Sequence, residues 1–506
     1  MATAQDVANR IPITAALMLA ALMNTLDTTI ANVALPHMQG SLSASADQIT
    51  WVLTSYIIAT AVTLPLSGWV SEKIGRKRMF LLSIGSFTLA SMLCGVATSL
   101  PEIVFFRLLQ GMAAASVMPL SQAVMLDIFP PRLVPRVMSL WSAALVLGPV
   151  MGPTIGGWLT ENFSWRWVFY INVPLGVLAF LGVYLFMSHD EGGRQRPFDF
   201  LGFGALALGT AAFQLMLDRG PSQDWFHSNE IWAEAIVAMI GIYMFVVQTV
   251  TAKHPFFPRE LAADRNFVGT SIIGFFIFGV LMSTNALLPS FMQSLMGYSA
   301  LQSGIAAMPR GVASLLAFLV VPWVMGRFSS RMIIFFGLAL TLEAGWMMSG
   351  FDLSMTAGPI MIALFVQGLG SGLLFTPLGV QAFATIDPRY RTDASIVSAM
   401  MRNLGGSAII SIMQALLLRD ASLAHARLAE RVASGDPVLR AVLPTSMDPS
   451  TVAGLESLNQ EVTRQASMIS YDNIFSWMVP GILLLTPLVF LIGRDRMRAP
   501  IVMHAD

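Results

Sequence analysis

A chain of 506 residues that is 55% hydrophobic and only 11% charged excludes an ordinary soluble globular fold, in which about a quarter of the residues carry charge. Its 29 basic and 29 acidic residues cancel, so net charge points to no partner. The single cysteine, Cys94, lies in an apolar run and excludes an intramolecular disulfide. The opening "MATAQDVANR" lacks the basic start and short apolar core of a cleaved signal. The first apolar run is therefore expected to persist as a helix.

A membrane-spanning helix needs roughly 20 mostly apolar residues. The sequence predicts fourteen, at about 12–35, 48–70, 78–98, 102–127, 136–159, 165–187, 200–217, 230–251, 267–293, 300–325, 331–350, 357–381, 393–418 and 472–493. Span 1 contains "LMNTLDTTIANVALP", with Asp27 and Asn24 inside apolar wall. A carboxylate there costs about 2.5–3.5 kcal/mol on insertion scales, so it needs a reason. Between spans 2 and 3 runs the short basic loop "GWVSEKIGRKR", where Gly68 and Gly75 allow a tight turn and Glu72 can pair with Arg76 or with charges on a neighbouring helix end. Span 4 opens with "RLLQG", carrying Arg107 and Gln110. With span 1 running outward and span 4 inward, Asp27 and Arg107 lie about 12 Å and 8 Å below the outer ends of their helices, at similar depth. Span 5 carries "LGPVMGPTIGGWL". Gly148, Gly152 and Gly156 recur every fourth residue, a smooth face for close helix approach, with Gly157 adjoining. Pro149 and Pro153 remove backbone donors and bend the helix.

The stretches 109–132 and 366–389 repeat at an offset of 257. Both begin Gln-Gly, contain Pro-Leu and end Pro-Arg, and the offset also lays Gly148 on Gly405. The chain therefore divides into a six-helix bundle at 1–188, an insertion with spans 7 and 8 at 189–264, and a second bundle at 265–506. Parallel repeats of this kind are a transporter architecture with the substrate site near mid-membrane. With both termini cytoplasmic, 19 of the 29 basic residues fall in inner segments, among them Lys73, Arg76, Lys77 and Arg78, and only Arg166 and Arg219 in short outer loops. This satisfies the positive-inside rule. The segment 419–470 is too long for a simple connection. Its pieces 420–432 and 452–466 have apolar residues at helical spacing, which predicts two short amphipathic helices forming an outer cap.

These motifs, four in order at the right spans and covering nearly the whole chain, resemble the major facilitator superfamily, and within it the fourteen-span drug:proton antiporters of the EmrB/QacA type. "LDRGPSQDWF" (217–226), "FYINVPLGV" (169–177) and the long outer segment look closer to EmrB-like inner-membrane pumps. The loop departs from the family at Glu72, where Asp is usual. The resemblance implies an all-α polytopic fold of two six-helix bundles plus two inserted helices, in the bacterial inner membrane. It implies export of amphipathic compounds by alternating access, and a periplasmic membrane-fusion adaptor and outer-membrane channel as partners. It places spans 1 and 4 around a central cavity, and it makes the 68–78 loop a latch between the halves in the outward-facing state.

Burial and a neighbouring cation act oppositely on a carboxylate's proton affinity. Asp27, held by Arg107 in one state and protonated in another, is thus a proton-coupling candidate; a static tie between spans 1 and 4 is the competing reading. The span-5 glycines and prolines are candidates for a gating hinge, against plain packing. The candidate substrate cavity comprises Asn24, Gln110, Phe275, Phe278, Met282, Asn285, Gln367, Phe375 and Arg402, in which aromatics and Met give an adaptable apolar surface. Arg310 and Glu343 are further buried charges, Glu343 either reaching the outer interface or pairing with Arg310. No metal-spaced His/Cys cluster and no Walker-type loop occurs. The expected energy source is therefore an ion gradient, with no cofactor and no enzymatic chemistry. A dedicated metabolite exporter or importer, and a non-transporting membrane sensor, are the alternatives.

Overall fold

The computed structural model describes residues 8–188, 197–433, 444, 447 and 451–493. Fourteen of its helices are long and apolar enough to cross a membrane. They are α1 (Arg10–Ser41), α2 (Trp51–Ile74), α3 (Arg76–Val96), α4 (Leu100–Ile128), α5 (Val134–Asn162), α6 (Trp167–Phe186), α7 (Phe200–Gln223) and α8 (Asn229–Thr251). The series continues with α9 (Arg265–Ser294), α10 (Leu301–Met325), α11 (Ser330–Met348), α12 (Ala357–Ala382), α13 (Arg391–Ala433) and α14 (Val452–Leu483). Helix starts follow from local chemistry. Asp264 and Asp199 accept from the backbone of Phe267 and Gly202, each at 2.9 Å, and Ser299 with Gln302 closes a capping box on α10.

One large core lies mainly in the first six spans and reaches across to Phe267, Val380 and Phe383 of the second half, and another lies in the last six spans. Phe80, Phe87 and Leu17 anchor one, and Phe291, Phe475 and Ile482 the other. The repeat is visible in the packing. The backbone of α5 meets Thr25 of α1 at Gly148, and the backbone of α13 meets Phe275 of α9 at the repeat position, Gly405. The inserted α7 and α8 cross at Gly209 and Gly241, where a Cβ on Gly241 would stand 2.6 Å from Gly209 Cα. Helix α7 is wedged between the halves. Thr54 of α2 donates to Asp218, Gln214 donates to Ser407 of α13 at 2.9 Å, and Ser411 donates to the Leu217 carbonyl.

One sequence expectation changes here. The two short capping helices expected over 420–432 and 452–466 are instead the far ends of α13 and α14. The stretch "ALLLRDASLAHARLAERVA" contains no Gly or Pro, so nothing stops α13 at the membrane edge. Residues 419–433 carry it about 22 Å further. The two extensions pair, with Ser470 donating to the Leu417 carbonyl at 2.7 Å and His425 beside Asn459 at 3.1 Å. Gly454, Leu458, Val462 and Ala466 form the buried seam on α14, while Leu423 points outward. Most of the connection between them, 434–450, lies outside the described residues.

Candidate functional site

Inside the first bundle, Asp27 is 1% exposed and Arg107 0%. Arg107 Nη1 donates to Asp27 Oδ2 at 2.6 Å. The other carboxylate oxygen accepts from Gln110 Nε2 at 2.8 Å and from Asn172 Nδ2 at 2.7 Å. Three donors from α4 and α6 thus converge on one acid of α1. This is how a buried charge is tolerated: it is paired, and its lone pairs are filled.

Each partner is itself held. Arg107 Nε donates to the Val52 carbonyl of α2 at 3.0 Å, and Nη1 also reaches Gln110 Oε1 at 2.8 Å. Its guanidinium lies 4.2 Å from the Tyr56 ring centroid and 5.8 Å from that of Phe169, where aromatic faces attract a cation. Asn172 also donates to Ser91 of α3 at 3.0 Å, and Ser91 donates to the Phe169 carbonyl at 2.9 Å. Asn24, one turn before Asp27, donates to the Ala114 carbonyl at 3.1 Å. Helix α4 breaks just there, between Ala114 and Val117, so Asn24 satisfies a carbonyl at a helix end.

The opposite face of α1 meets α5. A Cβ on Gly148 would lie 2.3 Å from Thr25 Oγ1, and one on Gly152 2.1 Å from Thr29 Oγ1; Gly156 faces Ile30. Thr29 also donates to the Gly148 carbonyl at 3.2 Å. Thr25 and Thr29 flank Asp27, so the α5 contact and the carboxylate lie on the same stretch of α1. Gly157 has nothing within 4 Å and stands outside this face. Helix α5 continues through Pro149 and Pro153 without a break. We expect Gly152→Leu to reduce drug efflux from intact cells severely, because overpacking a close contact costs about 1–3 kcal/mol. Gly157→Ala should leave efflux unchanged; normal efflux by Gly152→Leu would show that the α1–α5 contact can loosen freely.

The halves meet at the end of the bundle bearing the 68–78 loop. Asp127 of α4 binds Arg76 at 2.7 Å and Arg391 of α13 at 2.6 Å. Arg76 also reaches Thr392 at 3.2 Å. A Cβ on Gly68 would strike Ile396 of α13 at 2.7 Å, and Ser139 of α5 bonds Thr376 of α12 at 3.1 Å. The expected Glu72–Arg76 pair does not form among the described residues. Gly75 has φ +90°, which breaks the helix between the two and removes the i,i+4 neighbour geometry. Glu72 Oε2 is instead buried without a hydrogen-bond partner among the described residues.

Other expected residues sort by face. Asn24, Gln110 and Gln367 were expected in a central cavity, but all three are buried inside their bundles. Gln367 donates to Thr284 of α9 at 3.0 Å. The 257-residue offset pairs Gln367 with Gln110 and Thr284 with Asp27, so the second bundle repeats the first's contact without its charges. Phe275 packs with Phe213 and Trp225 under the inserted helices. Phe278, Met282, Asn285, Phe375, Arg310 and Arg402 are all partly exposed. Arg310 bonds Asn285, whereas Glu343 is exposed on the far face of α11. Asn172, Ser91, Tyr56, Asp127 and Arg391 were missed as site residues. For Asn172 the available signal was an Asn two residues before a Pro in an apolar span, and for Asp127 and Arg391 opposite charges at the inner ends of spans 4 and 13.

A fourteen-span protein with a charged network sealed in one of two repeated bundles has the architecture of a secondary transporter. Residues 17–410 match the Major Facilitator Superfamily, and the chain belongs to that family. It is 33% identical over 481 residues to the multidrug export protein EmrB of Escherichia coli (strain K12), covering 93% of each chain. It is 33% identical over 490 residues to the fatty acid resistance protein FarB of Neisseria gonorrhoeae, covering 95% of each. Among solved structures, the human organic anion transporter MFSD10 (TETRAN) shares the fold with a TM-score of 0.63 at 13% identity, over 95% of this chain and 99% of that one. A bacterial homolog of the human lysosomal transporter Spinster, in an inward-facing conformation, gives 0.54 at 17% identity, over 95% and 98%.

Proposed function

We propose that this chain is a proton-driven exporter of hydrophobic and amphipathic small molecules in the bacterial inner membrane, with both termini and the 68–78 loop in the cytoplasm. The observation that carries the reading is the Asp27 carboxylate, sealed among Arg107, Gln110 and Asn172. Export as such follows from the drug-exporting relatives.

The geometry supplies a coupling route. Protonating Asp27 removes the counter-charge of Arg107, which α2 still holds through the Val52 carbonyl. The tie between α1 and α4 weakens, α1 shifts, and its Thr25–Thr29 face carries α5 along. Helix α5 touches the second half at Val150, against Gly311 of α10, and at Ser139, against Thr376. Proton binding in one bundle is thereby converted to movement between bundles. The membrane potential alone supplies about 2.3 kcal/mol per charge per 100 mV.

The paired extensions of α13 and α14 are a surface for a periplasmic adaptor leading to an outer-membrane channel. The proton-coupling reading is tested in everted vesicles carrying a pH-sensitive dye. Adding a transported drug to energised vesicles should release protons from the lumen, and a lumenal pH unchanged by drug uptake would refute it.

A further inference from the structure

We propose that the second bundle carries an anion subsite, made by Arg310 and Arg402 at the two ends of an apolar stripe, which takes amphipathic molecules with a carboxylate head. The proposal deepens the export reading and rests on it. Along α9, the Arg402 stem lies 3.8 Å from the Cβ position of Gly274. One turn further, Phe278 and Met282 close on Gly406 of α13, and Phe278 packs edge-on to Phe375, with centroids 6.4 Å apart. Beyond Met282, Asn285 accepts from Arg310 of α10. Gly274 and Asn285 are 11 residues apart, so the two arginines meet α9 at points about 16 Å apart along its axis, on either side of the stripe.

The charge at this depth is unbalanced. Among the described residues neither arginine forms a salt bridge with a carboxylate, and the one acid buried at comparable depth, Asp27, is taken by Arg107. Glu343, the acid nearest in sequence to Arg310, is exposed on another face. Arginines within a membrane span face a wet interior, pair, and mark substrate paths. Both side chains are only partly covered, while Gly274 and Gly311 beside them are buried. Asn285 uses one guanidinium donor of five, leaving donors for a planar carboxylate in bidentate geometry. An acyl tail then lies on Phe278, Met282 and Phe375, and the head can engage either cation.

The test is equilibrium binding to the purified full-length protein in lipid nanodiscs at mildly alkaline pH, with dansyl-undecanoate and its neutral amide as probes. The native protein should bind the carboxylate at least about tenfold tighter than the amide, as expected for one charge-assisted contact. Arg310→Gln and Arg402→Gln should each narrow that ratio, the double variant should erase it, and Arg310→Lys should keep most of it. Equal binding of carboxylate and amide by the native protein would overturn the proposal without reference to any variant, and so would an undiminished ratio in the double variant. Binding requires no gradient. A protein that prefers the carboxylate but moves no drug refutes the export reading alone, and one that exports drugs without the preference refutes the subsite alone.

Discussion

Asp27→Asn should reach the membrane and lose proton-driven export. Asparagine fills nearly the same volume, but it cannot take up and release a proton, and it leaves Arg107 buried without a counter-charge. Stranding one partner of a buried pair costs about 3–5 kcal/mol, so the purified variant should also unfold at a lower temperature. Loss of activity alone would not separate coupling from a static tie, because either would be damaged. The double variant Asp27→Asn/Arg107→Gln separates them. The double variant leaves no stranded buried charge, which is the costly part of breaking a buried pair, so its thermal midpoint should recover part of the way toward the native value. A static tie predicts that export recovers with it. Proton coupling predicts a stable, inactive protein, read as absent drug-dependent proton release in everted vesicles. Export restored to native levels in the double variant would reduce Asp27 to a structural residue.

The depth match of Asp27 and Arg107 was legible because helix rise converts residue count into height directly. What sequence could not give was azimuth. Asn24 and Gln110 share the Asp27 height, and nothing in the spacing distinguishes a face turned into its own bundle from one turned toward the other bundle. The structure turns both inward, onto the Ala114 carbonyl and Asp27. The same limit hid Asn172, whose contact depends on α6 restarting after Ile171, and the Asp127–Arg391 pair, which joins residues 264 apart. The close-packed α5 face was readable because glycine every fourth residue fixes a stripe without naming its partner, and the partner proved to be α1. The outer segment differs from its sequence expectation for another reason. Its amphipathic spacing predicts separate helices, but the 415–433 stretch contains no Gly or Pro that would end α13.

Asp127→Asn should open the loop end of the molecule. Asp127 bridges Arg76 of its own half to Arg391 of the other, and all three side chains are at least three-quarters buried. Contacts of this kind contribute about 1.5–3 kcal/mol each when well shielded, and part of that is lost to screening at this partly open edge. Taking about 2–3 kcal/mol for the two together, the balance between closed and open forms shifts roughly 30- to 150-fold. Helix packing through Gly68 and the Ser139–Thr376 bond remains, so the variant should open without unfolding. Ser139 gives the readout: it is buried at the α5–α12 contact in this closed arrangement. In a Cys94→Ala background, which removes the single native thiol, Ser139→Cys should react slowly with a hydrophilic thiol reagent applied to everted vesicles. Adding Asp127→Asn should raise that rate by at least about tenfold, and drug export should fall because the outward-facing form is no longer held. Asp127→Glu, which keeps the charge, should leave labelling near the starting rate. Equal labelling with and without Asp127→Asn would mean that packing at Gly68, rather than the charge bridge, holds this end shut.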